Sequence, residues 1–166
     1  MLSDIGSFRH TPSGELDAAV ERLSAARTID DVLATLRSSA RRLIGSDGVA
    51  LILREGDFCH YVEEDAIGPL WKGKKFPMAA CISGWSMLKR QTVCIPDIAK
   101  DRRIPHDLYA DTFVRSLVMT PVRRDVPLGA LGAYWACEYV AKPNEVETVE
   151  ALAQAVGIAI QPHGPN

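Results

Sequence analysis

The chain predicts an α+β domain: a central antiparallel sheet with helices packed on it. Three features carry that prediction. Apolar residues recur at helical spacing before residue 45 and again after residue 144, they form short continuous or alternating runs in between, and those runs come in pairs joined by turn residues. Strands paired by tight turns are antiparallel neighbours, whereas a doubly wound parallel sheet needs a crossover between successive strands.

Length and composition bound the reading. A chain of 166 residues is the size of one domain, which buries roughly 70% of its unfolded surface, so one core is expected. Hydrophobic residues at 47% and charged residues at 24% exclude a disordered or fibrous class. A net charge of -2 offers nothing to a phosphate backbone, so nucleic acid is not an expected partner. The start MLSDIGSFRHTPSGELD lacks the basic and apolar regions of a signal peptide, and no later run is long enough to span a bilayer, so a cytoplasmic protein without a membrane partner is expected. Cys59, Cys81, Cys94 and Cys137 form no C-x-x-C, which predicts four free thiols, most of them small core residues.

The elements follow in order. Residues 1–12 and 162–166 are polar ends expected to be mobile around a single domain at 13–161. Leu16, Ala19, Val20 and Leu23 make the stripe of a first helix; Val32, Leu33, Leu36, Ala40, Leu43 and Ile44 make that of a second, with Thr28 placed to cap it and Gly45 to end it. The run from Val49 to Leu53 reads as a central strand, the turn Glu55-Gly56-Asp57 closes a hairpin, and Phe58 to Glu63 is its partner. Residues 66–80 have no period and predict a crossing loop with apolar anchors. Ile82, Trp85 and Leu88 then recur at helical spacing, and residues 91–95 turn to strand composition, with Cys94 in the core, until Pro96. Pro105 starts a short helix within a polar stretch. Residues 116–122 and 128–137 form a second hairpin around Arg124-Asp125-Val126-Pro127. Asn144 and Glu147 have capping-box spacing, and Val146, Val149, Ala153, Val156 and Ile160 stripe the last helix.

Three stretches in this order resemble a GAF domain, the small-molecule sensing relative of the PAS domain: IDDVLATLRSSARRLIGSDGVALILRE, ISGWSMLKRQTVCIPDIAKDRR and VRSLVMTPVRRDVPLGALGAYW, over about residues 15–161. The resemblance implies an antiparallel sheet with the first and last helices on one face. On the other face it implies a ligand cavity roofed by loops and short helices. It also implies a non-catalytic sensor of an unidentified small molecule in two-component or related signalling. Such a domain dimerises through its terminal helices and controls a kinase or cyclase in the same or another chain. No output domain follows Ile160 in these residues, so the chain is expected to be part of a larger sensor or to act in trans.

Catalysis on this fold is best known in free-methionine-sulfoxide reductases, whose attacking cysteine stands immediately before the glycine of the short helix. Here that position is Ser83, Cys81 lies two places early, and Cys94 is in the next strand, so the enzyme pattern is incomplete. Bilin attachment would place a cysteine in the loop DRRIPHDLYADTF, which has His106 but none. Cys59-His60 lies on a strand where neighbours face opposite ways, which also makes it a poor metal pair. A cyclic nucleotide could use the start of the Ser83-Gly84 helix with Arg102, Arg103 or Arg115. A ligand-free dimerisation module is a further alternative.

The aromatic set Tyr61, Trp71, Phe76, Trp85, Tyr109, Phe113, Tyr134 and Trp135 can line an apolar cavity with polar handles. Alternation allows only one of Tyr134 and Trp135, and one of Met119 and Val118, to face it. The assigned ligand-binding candidates are Tyr61, Cys81, Trp85, Asp97, His106, Tyr109, Met119 and Tyr134, with no catalytic or metal-binding residue and the cofactor left open.

Overall fold

The computed structural model describes residues 12–160, so the ends expected to be mobile lie outside the described residues except for Pro12. Helix α1 (Pro12–Ser24) and α2 (Ile29–Ile44) precede the sheet, and α5 (Pro143–Ala159) closes the chain. The boundaries of α2 follow from its caps. The Asp31 N–H donates to Thr28 Oγ1 at 3.1 Å, and Gly45, at φ 81°, sends its N–H to the Arg41 carbonyl at 2.8 Å. Asp30 and Asp31 in the first turn and Arg41 and Arg42 in the last suit the helix dipole.

Six strands form one sheet in the order β3-β2-β1-β6-β5-β4, with every neighbouring pair antiparallel. They are β1 (Gly48–Glu55), β2 (Phe58–Ala66), β3 (Lys75–Pro77), β4 (Val93–Ile95), β5 (Ser116–Val122) and β6 (Gly129–Trp135). Every residue of β5 and β6 is buried, so both faces of the sheet's centre are covered. Against α1, α2 and α5 the sheet presents Val49, Leu51, Val118, Leu131, Ala133 and Trp135. Against the other layer it presents Ala50, Ile52, Met119, Ala130 and Tyr134. That second layer, the roof, comprises the loop after β2, the 3₁₀ turn Met78–Ala80, α3 (Ile82–Lys89), the 3₁₀ turn Ile98–Lys100 and α4 (His106–Tyr109).

Four local expectations are corrected. The stretch 66–80 contains β3, which pairs Lys75, Phe76 and Pro77 with His60, Cys59 and Phe58; three residues are too few to show a period, and Pro77 is tolerated because this strand is an edge. In α3 the buried face is Ile82, Ser83, Gly84, Ser86 and Met87, while Leu88 is 55% exposed. The helix turns its small residues inward because Gly84 lies against the Met78 backbone, which rotates Leu88 outward. Cys94 is not in the core: alternation on the edge strand β4 buries Val93 and Ile95 and points Cys94 to solvent. Cys137 is also exposed, so only Cys59 and Cys81 are core thiols. At α5 the reach-back to the N-cap comes from Glu145 rather than Glu147, with the Lys142 N–H donating to Glu145 Oε1 at 2.7 Å. The helix begins at Pro143, which places Glu145 at its third position and Asn144 inside the first turn.

One irregularity sets the polarity of β2. Leu51 pairs with Glu63 but Ile52 pairs with Tyr61, so Val62 is an extra residue and the alternation reverses across it. Tyr61 therefore faces the roof, Glu63 faces α2, and Glu64 faces the roof again. Glu63 meets Arg37 of α2 and also Lys72, whose Nζ is 2.8 Å from Oε1. Burial opposes ionisation of Glu63, but Lys72, the Glu64 N–H and Arg37 together outweigh it and hold the carboxyl below its ordinary range.

Two tests follow from this packing. A methyl group at Gly84 would stand 1.8 Å from the Met78 carbonyl oxygen. Gly84→Ala is expected to cost about 2–3 kcal/mol, read as a lower urea midpoint with an unchanged slope. Because the Glu63 pKa is lower in the folded state, its contribution is present above the unfolded carboxylate pKa and is lost as pH falls through the folded one. The stability gap between wild type and Glu63→Gln should thus shrink between about pH 5 and pH 3. Denaturant curves at each pH check this, and parallel pH profiles would contradict it.

Candidate functional site

The roof is tied to the sheet by a carboxylate. Glu64, turned to this side by the Val62 bulge, accepts the N–H groups of Leu70, Trp71 and Lys72, each at 2.9 Å. Three charge-assisted bonds to consecutive amides fix a loop that has no regular structure to satisfy them. The result is a fixed Trp71. Its indole N–H donates to the Leu108 carbonyl of α4 at 2.9 Å, and its ring meets three tyrosines edge-on, with centroids at 5.4 Å for Tyr61, 4.9 Å for Tyr109 and 5.6 Å for Tyr134. Phe76 extends the cluster, 5.6 Å from Tyr61. The side chains expected to line a cavity thus pack against one another beneath the roof.

Tyr134 lies at the floor of this cluster. Gly132, two residues earlier on the same face of β6, leaves the space that its ring occupies: a methyl group there would be 2.6 Å from the Tyr134 hydroxyl and 2.8 Å from Met119 Cε. The Tyr134 hydroxyl is fully buried and makes no hydrogen bond to any described residue. Burial, with Tyr109, Cys81 and Glu64 nearby, pushes its pKa well up, so the phenol keeps its proton and remains a donor.

Beside this cluster runs a line of sulfur and hydroxyl groups. Cys81 caps α3, and its Sγ lies 3.3 Å from Cys59 Sγ and 3.3 Å from Ser83 Oγ; Ser83 is in turn 3.0 Å from the Tyr61 hydroxyl. At the other end Cys59 Sγ is 3.4 Å from Met78 Sδ. Contact with Cys59, then Ser83 and the start of α3, lowers the Cys81 pKa against the cost of its burial. The Cys59 pKa is raised, first by Cys81 and then by burial.

Of the assigned residues, Tyr61, Cys81, Tyr109, Met119 and Tyr134 come together in this layer. Alternation was a sound guide: Tyr134 and Met119 face the roof, while Trp135 and Val118 face the helices. Trp85 stands at the rim, half-buried, with the Arg103 guanidinium 4.6 Å from its ring centre. Asp97 and His106 lie apart, as braces of the connecting loop. Asp97 Oδ1 accepts the Ala99 N–H at 3.0 Å, and His106 Nε2 is 3.0 Å from the Ile98 carbonyl. The sequence names Trp71, Ser83 and Cys59 without assigning them to the site, and it gives no sign of Glu64. The bulge that orients Glu64 has no signature in residue spacing, and the meeting of Cys59 with Cys81 is tertiary. An open groove of about 560 Å3 lies on the opposite side of the sheet, between Thr120–Asp125 and the end of α5, where Arg124 and Glu150 pair at 2.8 Å.

The GAF domain sequence profile matches residues 26–161. A search among curated protein sequences returns no match. Solved structures agree in fold. The GAF domain of a phosphoenolpyruvate-protein phosphotransferase from Coxiella burnetii superposes with TM-score 0.77 at 13% identity, covering 90% of this chain and 92% of that one. The phycocyanobilin-bound GAF domain of a cyanobacterial phytochrome gives 0.72 at 19% identity, covering 87% and 93%. Free methionine-R-sulfoxide reductase from Neisseria meningitidis, in complex with its substrate, gives 0.65 at 17% identity, covering 87% of each. At these identities the structural likeness establishes fold alone, but the profile spans most of the chain, and the protein belongs to the GAF domain family.

Proposed function

We propose that this GAF domain is a non-catalytic sensor whose ligand binds among Tyr61, Trp71, Tyr109, Met119 and Tyr134, beneath the roof. The buried, unpartnered Tyr134 hydroxyl carries the reading. An unmet buried donor costs roughly 1–3 kcal/mol, and a ligand acceptor would recover it. The surrounding rings favour a flat, largely apolar molecule carrying one acceptor. Because those rings pack together, binding must displace some of them, and in this reading the Trp71 loop, which lacks regular secondary structure, is the part that moves, against its hydrogen bonds to Glu64, Leu108 and the Tyr61 backbone and the Lys72–Glu63 pair. Asp97 and His106 would act by holding the loop rather than by touching the ligand.

The signal would leave through the helices on the far face. β6 carries Tyr134 toward the roof and Trp135 toward α2 and α5, so a shift of one registers on the other. We place the homodimer contact on α1 and α5, where Ile158 is 55% exposed, and the output in a kinase or cyclase of a cytoplasmic signalling system. The second reading is a thiol enzyme acting on free methionine sulfoxide, favoured by the close Cys59 and Cys81 sulfurs.

Three outcomes are expected. Tyr134→Phe should raise the unliganded protein's stability by about 1 kcal/mol in denaturant titration, because it removes an unsatisfied group. The same change should abolish the thermal shift produced by whichever metabolite native mass spectrometry finds on the wild-type protein, whereas retention of the full shift would move the site elsewhere. With NADPH, thioredoxin and free methionine sulfoxide, no turnover is expected. Steady turnover lost in Cys81→Ser would replace the sensor reading with the enzyme.

A further inference from the structure

Cys59 and Cys81 come from different layers, one from the start of β2 and the other from the N-cap of α3, yet their sulfurs are 3.3 Å apart. A disulfide bond is about 2.05 Å long, so closure needs an approach of a little over 1 Å. We propose that these two residues form a dithiol site for small hydroperoxides, oxidised to an intramolecular disulfide that ties the sheet to the start of α3. The proposal goes beyond the sensor reading and does not depend on what binds beside Tyr134.

The surroundings divide the labour between the sulfurs. Cys81 stands at the N-cap of α3 with the Ser83 hydroxyl 3.3 Å from its Sγ, a position that favours the thiolate. Cys59 is fully buried and touches Cys81 on one side and the Met78 thioether on the other. The Cys81 thiolate attacks the outer peroxide oxygen; the O–O bond breaks, the departing alkoxide or hydroxide takes a proton from solvent, and Cys81 becomes a sulfenic acid. Cys59 sulfur then attacks Cys81 sulfur, the S–O bond breaks, and the departing hydroxide leaves as water with the Cys59 proton. In sum one hydroperoxide takes two electrons from two thiols and yields a disulfide, an alcohol or water, and a further water.

Burial selects the oxidant. Cys81 is 5% exposed and Cys59 not at all, so a small peroxide can reach the pair while a bulky disulfide reagent cannot without opening the roof. Cys94 and Cys137, both exposed, have no thiol partner nearby among the described residues and should react with either.

The test uses the full chain with Cys94→Ser and Cys137→Ser, which leaves the buried pair untouched. After hydrogen peroxide at a few equivalents and quenching with N-ethylmaleimide, the proposal expects a mass lower by two hydrogens, no maleimide label after denaturation, and one cross-linked peptide containing residues 59 and 81. Dithiothreitol should restore both labels. In Cys59→Ser, reaction should stop at the Cys81 sulfenic acid, trapped by dimedone. The disulfide mapping needs no change to the pair itself, so it stands even if Cys59→Ser fails to fold. Two labelled thiols after peroxide treatment, or Cys81 carried to the sulfinic acid while Cys59 remains free, would overturn the proposal.

Discussion

The structure depends on one geometric rule: neighbouring side chains of a strand point to opposite faces, and here both faces are buried. Each residue of β5 and β6 must therefore suit one of two unlike layers. Val118, Leu131, Ala133 and Trp135 meet the three long helices, whereas Met119 and Tyr134 meet a layer of loops and the short helices α3 and α4. The Val62 bulge is the point where the rule is reset. Without it Glu64 would face α2, and the amides of Leu70, Trp71 and Lys72 would lose their shared acceptor. A single inserted residue thus decides whether the roof has an anchor.

The roof is tied to the sheet by specific polar links in addition to an apolar core of its own. Glu64 fixes the Trp71 loop, the Tyr61–Ser83 hydrogen bond and the Cys59–Cys81 contact tie α3 to β2, and Gly84 lets α3 lie on the Met78 backbone. Under the proposed dithiol chemistry, a bond between Cys59 and Cys81 would add a covalent link between β2 and the start of α3 to these contacts.

The fold was legible because its main signals are local. The caps at Thr28 and Gly45, the turn at Gly56, and the apolar runs of β1, β5 and β6 each declare an element within a few residues. Alternation even sorted Tyr134 from Trp135 and Met119 from Val118. What escaped was non-local. β3 exists because residues 75–77 find β2, and Cys94 is exposed because its strand became an edge. Asp97 and His106 make hydrogen bonds within the loop that bears them, which residue type alone does not reveal. Cys59 reads as a poor metal partner for His60; the sulfur it meets lies 22 positions away, across a layer boundary.

The central claim is that the Tyr134 hydroxyl is left unpartnered for a ligand to engage. A crystal structure of the protein with the metabolite that most raises its melting temperature tests this directly. The account predicts density within hydrogen-bonding distance of the Tyr134 hydroxyl, with the Trp71 ring moved from its contact with Tyr134. Density in the groove beside α5, with Trp71 and Tyr134 still in edge-on contact, would contradict it.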